Sequence, residues 1–231
     1  MRKYWNAGQI CIIGLGRYGS AIAKQLLSER ENNLRLILVD QDEKHLTPFR
    51  DEVDMIYVAD CAEQKTLEAI NVIDFDVVIV ATSDNIEIIA ALKEMGVNSI
   101  IARASSKRHA QVLRQIGVKL IVSPEEEAGK KTAMLVTYPT LTAHSEYFVE
   151  LQDGFVSTSV IVKNPNIFNK KISELQFRNK YDALITMIKR NGQSYIPEGD
   201  FTIEENDLVT FIGLLDNVAI VSEFCATQKK L

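Results

Sequence analysis

The sequence predicts an α/β fold in which a doubly wound parallel sheet is followed by a second, smaller α+β domain. Up to about Tyr138, short β-branched runs alternate with longer amphipathic stretches, a pattern that indicates strands and helices in turn. The runs are continuously apolar, as expected of strands buried on both faces. Strict alternation favours a parallel sheet covered on both sides. Beyond Ala128 the pattern changes, and we place the boundary near residue 143, which gives domains 1–143 and 144–231.

The elements of the first domain follow from this alternation. The predicted strands are 9–14, 34–40, 55–59, 76–81, 99–102 and 119–122, and the predicted helices between them include 19–28, 62–70, 85–95 and 106–116. Gly96 and Gly117 follow two of these helices, where a left-handed C-cap residue is expected. Another helix covers 129–136 and should end before Tyr138-Pro139, because the residue before a proline avoids helical geometry.

The second domain is predicted from shorter strands. They cover 146–151, 159–162, 183–190 and 208–212, with an extended segment at 201–204. Asn191-Gly192 lies between strand-like runs and predicts a tight hairpin. Residues 172–177 and 215–225 are predicted to be helices.

Composition excludes several classes of protein. The 231 residues are 46% hydrophobic and 25% charged, as in ordinary globular proteins, and the net charge of −5 argues against a nucleic-acid partner. The three cysteines have no metal-ligand spacing and indicate free thiols in a reducing cytosol. The first residues lack the apolar core of a signal peptide, and the longest apolar runs have strand length. We therefore expect no direct membrane insertion, so that another chain would supply any membrane span.

A glycine-rich turn follows the first predicted strand and opens the first helix. It reads Gly14-Leu15-Gly16-Arg17-Tyr18-Gly19, a G-x-G-x-x-G motif in the strand–turn–helix context that binds a pyrophosphate. Asp40 ends the second strand about 20 residues later, where a carboxylate accepts hydrogen bonds from ribose hydroxyls. The combination predicts a Rossmann-type domain that binds an adenosine phosphate. The alternative is a purely structural turn.

These residues restrict the range of possible ligands but do not identify a single one. An acid at Asp40 disfavours the 2′-phosphate of NADP and leaves NAD, ATP, ADP and AMP open. Arg17, in the first helical turn, has the geometry to fork onto a terminal phosphate, although a solvent-facing arginine at a helix start is an equal alternative.

Further candidate contacts lie at the carboxyl ends of the strands, the edge at which open α/β sheets bind ligands. Instead of contacting a ligand, Thr82 or Asp84 could cap the amino end of the next helix, and we favour this capping role for Asp84. Glu125 lies in the first turn of a helix, where acids are stabilised by the dipole in any case. The candidates at this edge are Gln41, Asp60, Cys61, Thr82, Ser83, Arg103 and Glu125.

Groups for catalysis are missing from the pattern. His144 lies on the predicted linker, and His45 and His109 are interpreted as surface residues of helices. No nucleophile elbow, P-loop lysine or metal-ligand cluster is present in the sequence. A nucleotide-binding domain without such groups favours a sensor, whose ligand shifts a conformational equilibrium. An NAD-dependent oxidoreductase, or an NAD-responsive redox sensor, remains the alternative.

The sequence resembles the RCK family, the regulators of K+ conductance, and in particular the KtrA-type and TrkA-type cytosolic subunits. The first domain carries the resemblance in five segments, Ile12-Ile-Gly-Leu-Gly-Arg-Tyr-Gly19, Val39-Asp40, Val58-Ala-Asp60, Val78-Ile-Val-Ala-Thr82 and Val122-Ser-Pro-Glu125. The second domain is similar to the TrkA-C module through Ile172-Ser-Glu-Leu175, Arg178 and Lys180-Tyr181.

The resemblance implies a non-catalytic protein of the cytoplasm, peripheral to the inner face of the cell membrane. It implies homodimers that assemble into an octameric ring beneath a membrane K+ translocating subunit of the KtrB or TrkH type. ATP and ADP would exchange in the cleft, with NAD or NADH as the alternative ligand.

Particular residues receive roles from the resemblance. Arg17 would contact a terminal phosphate, Asp40 the ribose, and Glu125 a divalent cation such as Mg²⁺ or Ca²⁺. In several relatives the second domain binds cyclic di-AMP at a dimer seam, which here would involve Ile172, Arg178 and Pro197.

Overall fold

A computed structural model describes residues 8–29, 34–138 and 148–227. The chain divides into two compact units, 1–128 and 129–231. His144 and the predicted boundary near residue 143 lie outside the described residues, so the boundary stays a prediction.

The N-terminal unit is built on a parallel sheet, as the sequence predicts. Its strands in the described residues have the order β3-β2-β1-β4-β5-β6, and every neighbouring pair is parallel. The strand order reverses between β1 and β4, which creates the crevice where such sheets bind ligands. The strands are β1 Gln9–Ile13, β2 Arg35–Asp40, β3 Met55–Val58, β4 Val77–Val80, β5 Ile100–Arg103 and β6 Leu120–Val122.

Helices cover both faces of this sheet and bury it. In β1, Cys11 and Ile13 belong to one apolar core, whereas Ile10 and Ile12 belong to the other, so successive side chains point into opposite layers. These helices are α1 Arg17–Ser28, α2 Glu43–Leu46, α3 Gln64–Ala69, α4 Ile86–Glu94 and α5 Lys107–Gln115, and the largely exposed helix α6 Pro124–Thr137 follows β6.

Most helix ends in this unit agree with the sequence. Gly96 and Gly117 follow α4 and α5 with φ of +86° and +94°, the left-handed conformation expected of C-cap glycines. Helix α6 ends before Tyr138, as predicted. The prediction that Asp84 caps α4 is wrong, because the N-cap is Asn85. The short helix α2 was not predicted, and its N-cap Asp42 accepts a hydrogen bond from the Lys44 amide.

The C-terminal unit contains an antiparallel sheet with the strand order β11-β10-β13-β8-β7 in its described part. Two short strands, β9 and β12, pair separately. Asn191 and Gly192 have φ of +50° and +81°, which is the type I′ hairpin that their sequence predicts. The strands are β7 Val149–Glu150, β8 Phe155–Ile161, β9 Lys170–Lys171, β10 Ala183–Arg190, β11 Gln193–Tyr195, β12 Thr202–Ile203 and β13 Leu208–Leu214.

Three helices complete this unit, and one prediction about them is wrong. The segment predicted as a single helix is split into α7 (Ile172–Leu175) and α8 (Phe177–Tyr181), because Gln176 between them adopts φ of +54°. Helix α9 (Leu215–Ala226) packs on β8 and β13 and closes a core around Phe211. Within the described part of the chain, no helix combines the length and the apolar character that a membrane crossing requires.

Candidate ligand-binding site

Each glycine of the turn after β1 meets a different spatial demand. Gly14 has φ of +90°, and a Cβ there would lie 2.4 Å from Thr82 Cγ2. A Cβ on Gly19 would lie 1.9 Å from the Gly14 carbonyl oxygen, so only glycine lets α1 pack this close to the turn. A Cβ on Gly16 would meet no atom within 4 Å. The space above Gly16 is therefore open to a ligand, at the start of a helix that no side chain caps.

Asp40 closes the turn from the end of β2. One carboxylate oxygen, Oδ2, accepts a hydrogen bond from the Leu15 amide at 2.5 Å, and the other, Oδ1, accepts one from the Asp42 amide at 2.8 Å. His45 is an exposed residue of α2, as predicted, and its Nδ1 lies 3.1 Å from Oδ1. A carboxylate offers about four acceptor positions, and these three contacts leave capacity for a ribose hydroxyl.

A cavity of about 430 Å³ opens beside the turn at the carboxyl edge of the sheet. Its volume lies in the range of small-molecule sites, about 300–1,000 Å³. Of the predicted contacts, the cavity brings together Gly14, Asp40, Gln41, Asp60, Cys61, Thr82 and Ser83.

The cavity lining is acidic, which the sequence reasoning missed in part. Asp84 and Glu87 join Asp40 and Asp60 on its wall, and among the residues that the structure describes no lysine or arginine lines it. Carboxylates accept hydrogen bonds from hydroxyl and amine groups and repel phosphates. The arrangement therefore suits a ribose and a base inside the cavity, with phosphates directed to the glycine turn outside it.

Cys61 is a buried part of the wall. Burial, then the neighbouring Asp60 and Asp40 carboxylates, raise the pKa of its thiol to about 12. A thiol with this pKa is protonated at neutral pH and is a weak nucleophile. Cys61 is thus suited to contact a ligand and not to react with it.

Arg17 and Tyr18 lie at the start of α1, outside the cavity lining. Arg17 is exposed and forms no ion pair with any residue that the structure describes. Tyr18 is half-buried, and burial followed by the Glu127 carboxylate raises its phenol pKa. Arg17 is therefore the basic group nearest along the chain to the open space above Gly16.

Arg103 and Glu125 form an ion pair across the ends of β5 and β6. Arg103 Nη2 donates to Glu125 Oε1, while Nη1 donates to the Ala81 carbonyl at 3.4 Å. The backbone amide at Glu125 and the Arg103 guanidinium together lower the pKa of the Glu125 carboxyl. No group of three His, Cys, Asp or Glu that could hold a metal occurs in the described residues. One carboxylate paired with arginine does not make a metal site by itself, so a cation at Glu125 stays a prediction.

Two buried polar atoms at this edge have no hydrogen-bond partner. They are Thr82 Oγ1 and Arg103 Nε, which lie at the ends of the adjacent strands β4 and β5. A buried polar atom without a partner costs about 1–3 kcal/mol. Both atoms belong to residues that the sequence selects as ligand contacts, and a bound ligand with acceptor oxygens would remove this cost.

Asn85 joins the two strand ends, and no feature of the sequence assigned it a role. Its side chain is 1% exposed overall, and Nδ2 donates to the Thr82 carbonyl at 2.9 Å and to the Arg103 carbonyl at 2.8 Å. Its Oδ1 lies 3.0 Å from His109 Nε2. His109 is therefore a half-buried structural partner, and its interpretation as a plain surface residue is wrong.

A second cavity of about 330 Å³ lies in the C-terminal unit. It brings Ile172, Arg178 and Pro197 together on one wall, together with Phe177 and Leu184. Ile172, Arg178 and Pro197 are the residues that the resemblance to RCK proteins selects. Arg178 is exposed, so its guanidinium is accessible to an anionic ligand.

Comparisons with known proteins agree with this architecture. The family model of the TrkA-N domain matches residues 10–124, and that of the TrkA-C domain matches residues 156–226. An uncharacterised protein of Mycoplasma genitalium is 31% identical over 87% of this chain and 88% of its own length. The Ktr system potassium uptake protein C of Bacillus subtilis is 28% identical over 91% of this chain and 94% of its own. The RCK domain of GsuK has the same fold, with a TM-score of 0.60 and 18% identity over 97% of this chain and 49% of the GsuK chain.

Proposed function

The chain belongs to the RCK family, in which a TrkA-N domain is followed by a TrkA-C domain, and on this basis we propose that it is a nucleotide-sensing regulatory subunit of a K+ uptake system. Relatives that match it over almost their whole length are potassium uptake proteins of the Ktr and Trk systems. The observation that carries the proposal is the open glycine turn beside Asp40 and the acidic cavity.

The ligand we propose is ATP or ADP. A ribose hydroxyl would donate to the remaining acceptor position of Asp40, and the phosphates would lie over Gly16 at the amino end of α1. Arg17 has no ionic partner in the described residues and would contact the terminal phosphate. Thr82 Oγ1 and Arg103 Nε supply two further donors. NAD or NADH fits the same turn with its bridging phosphates and is the alternative ligand.

A divalent cation, Mg²⁺ or Ca²⁺, would balance the phosphate charge at Glu125. Such cations are commonly held by one or two carboxylates together with phosphate oxygens. The ion pair between Arg103 and Glu125 would have to rearrange for this to happen.

We propose a homodimer that assembles into an octameric ring on a membrane K+ translocating subunit of the KtrB or TrkH type. Helix α6 supports this part of the proposal. From Glu125 to Ala133 its residues are exposed, and Val136 is 76% exposed, so most of the surface of this 14-residue helix is open to solvent in a single chain. A second copy would cover it. The protein would then act in the cytoplasm, at the inner face of the membrane.

The C-terminal cavity is a proposed site for cyclic di-AMP. Arg178 would pair with a phosphate, while Ile172 and Pro197 would pack against a base. Because Arg178 is exposed in one chain, a second chain is expected to complete the site.

The decisive experiment is mass spectrometry of the small molecules released from protein that is purified without added ligand. Release of ATP or ADP at near one per chain, with micromolar affinity in calorimetry, is the expected result. Release of NAD with detectable hydride transfer to a substrate would favour an oxidoreductase. If ATP, ADP, NAD and NADH all fail to bind in titration, the proposal is wrong.

A further inference from the structure

The buried pair Asn85–His109 links three loops at the carboxyl edge of the N-terminal sheet. Asn85 is the N-cap residue of α4, but its side chain makes no capping hydrogen bond. An asparagine at this position normally accepts from the first helical amides. Here the amide points inward and satisfies other groups, so its geometry is not explained by the helix.

Each side-chain nitrogen and oxygen atom of the pair has at least one hydrogen-bond partner. The two hydrogens of Asn85 Nδ2 go to the carbonyls of Thr82 and Arg103. This fixes the orientation of the amide and leaves Oδ1 to accept from His109 Nε2 at 3.0 Å. The other ring nitrogen of His109, Nδ1, accepts from the Ser105 amide at 3.3 Å and lies 3.1 Å from the Ser105 hydroxyl oxygen. The geometry therefore makes Nε2 the donor and Nδ1 the acceptor of the ring.

The residues held by Asn85 are those with unsatisfied polar atoms. Thr82 lines the cavity and touches the space beside Gly14, and its hydroxyl has no partner. Arg103 carries the unsatisfied Nε and holds Glu125. Asn85 donates a hydrogen bond to the backbone carbonyl of each of these two residues, which fixes the position of the backbone from which each side chain extends. The bonds therefore fix the spacing of two donors on neighbouring strands.

We infer that Asn85 and His109 are positioning residues for the nucleotide, which hold the donors of Thr82 and Arg103 at the spacing that the ligand requires. This inference rests on the proposed function and adds to it two residues that do not line the cavity. His109 belongs to α5, so the pair also couples the start of that helix to the cleft. Movement of α5 would change nucleotide affinity without any direct contact.

Two substitutions test the roles of the two ring nitrogens of His109 separately. In His109→Gln the side-chain amide nitrogen takes the place of Nε2 and can still donate to Asn85. In His109→Asn the shorter side chain keeps an acceptor for the Ser105 amide but cannot reach Asn85. Gln111→Ala, at an exposed position of α5, is the matched control.

Calorimetric titration of the full-length protein with ATP and with ADP measures the effect. We expect His109→Asn to weaken binding about tenfold, equivalent to about 1.4 kcal/mol. His109→Gln and Gln111→Ala should bind within about twofold of the parent. The melting temperature of each ligand-free variant shows whether a loss of folding accounts for the change. Nitrogen-15 NMR of the parent should report the Nε2–H tautomer.

Each outcome decides the inference. If His109→Asn binds as the parent does, or if both variants are weakened equally, the donation to Asn85 does not position the ligand contacts. A tautomer protonated on Nδ1 would overturn the geometry directly. A parent protein that binds neither nucleotide would remove the proposed function itself, which is a separate failure seen in the first titration.

Discussion

The glycine turn allows a sharp test, because two of its glycines are needed for different reasons. Gly19 is required by packing, since a Cβ there would lie 1.9 Å from the Gly14 carbonyl oxygen. Gly16 is required only if a ligand occupies the space above it, since a Cβ there meets nothing within 4 Å. Its φ of −61° is also accessible to alanine. Alanine at each position therefore separates folding from binding.

Gly19→Ala should cause a large loss of stability, whereas Gly16→Ala should cause a small loss of stability and a large loss of ATP affinity. Gly19→Ala forces one backbone oxygen well inside van der Waals contact, and overpacking of this kind costs about 3 kcal/mol. At roughly 2–4 °C per kcal/mol, the melting temperature should fall by roughly 6–12 °C. Gly16→Ala should change the free energy of unfolding by less than about 1 kcal/mol. It should nevertheless weaken ATP binding by at least about tenfold, because the methyl group takes the place of the phosphate.

Thermal unfolding without ligand and calorimetric titration with ATP measure both effects on the same samples. Two results would refute the reasoning. If Gly16→Ala binds ATP as tightly as the parent, the phosphates do not lie over this turn. If Gly19→Ala unfolds at the parent's temperature, the close approach of α1 to the turn is not as tight as the structure indicates.

Three further expectations concern charge and thiol chemistry. Arg17→Ala should narrow the preference for ATP over ADP in calorimetry while adenosine binding persists, and an unchanged ATP/ADP ratio would remove Arg17 from the terminal phosphate. Cys61 should react with iodoacetamide at pH 8 about a thousandfold more slowly than an ordinary cysteine, because its pKa is raised from 9.0 to about 12; rapid labelling followed by mass spectrometry would contradict this. Arg190→Ala should destabilise the protein by about 3 kcal/mol in urea unfolding, because it leaves the fully buried Asp207 carboxylate without the guanidinium that donates to both its oxygens at 2.7 Å. Lys189→Ala, at the exposed neighbouring position, is the control and should stay within about 0.5 kcal/mol of the parent; equal losses for both variants would be inconsistent with a buried pair.

The fold of the N-terminal unit was predictable because its signals are local. Continuous apolar runs of four residues lie within strands β1, β2 and β4, and the glycine turn is encoded in six consecutive residues. The place of Asp40 follows from strand length alone. These features depend on periodicity and on backbone sterics, both of which are visible in a linear sequence.

The features that were missed depend on contacts between distant residues. The bond from Asn85 to His109 joins two separate strand–helix units, and it exists only because β4 and β5 are adjacent in the sheet. The acidic wall at Asp84 and Glu87 depends on where α4 begins. The break at Gln176 was missed because glutamine has no intrinsic preference for positive φ, so tertiary packing decides its conformation.

The contacts of Asp40 have a further consequence for how a sensor of this kind would work. The same carboxylate that faces the cavity already holds the Leu15 amide, so the turn is preorganised before any ligand arrives. Little ordering entropy is then lost on binding, and these hydrogen bonds favour the same turn conformation with either nucleotide. Any difference between two ligands must therefore be expressed at the outer end of the cleft, beyond the rigid turn, where their phosphates differ in number.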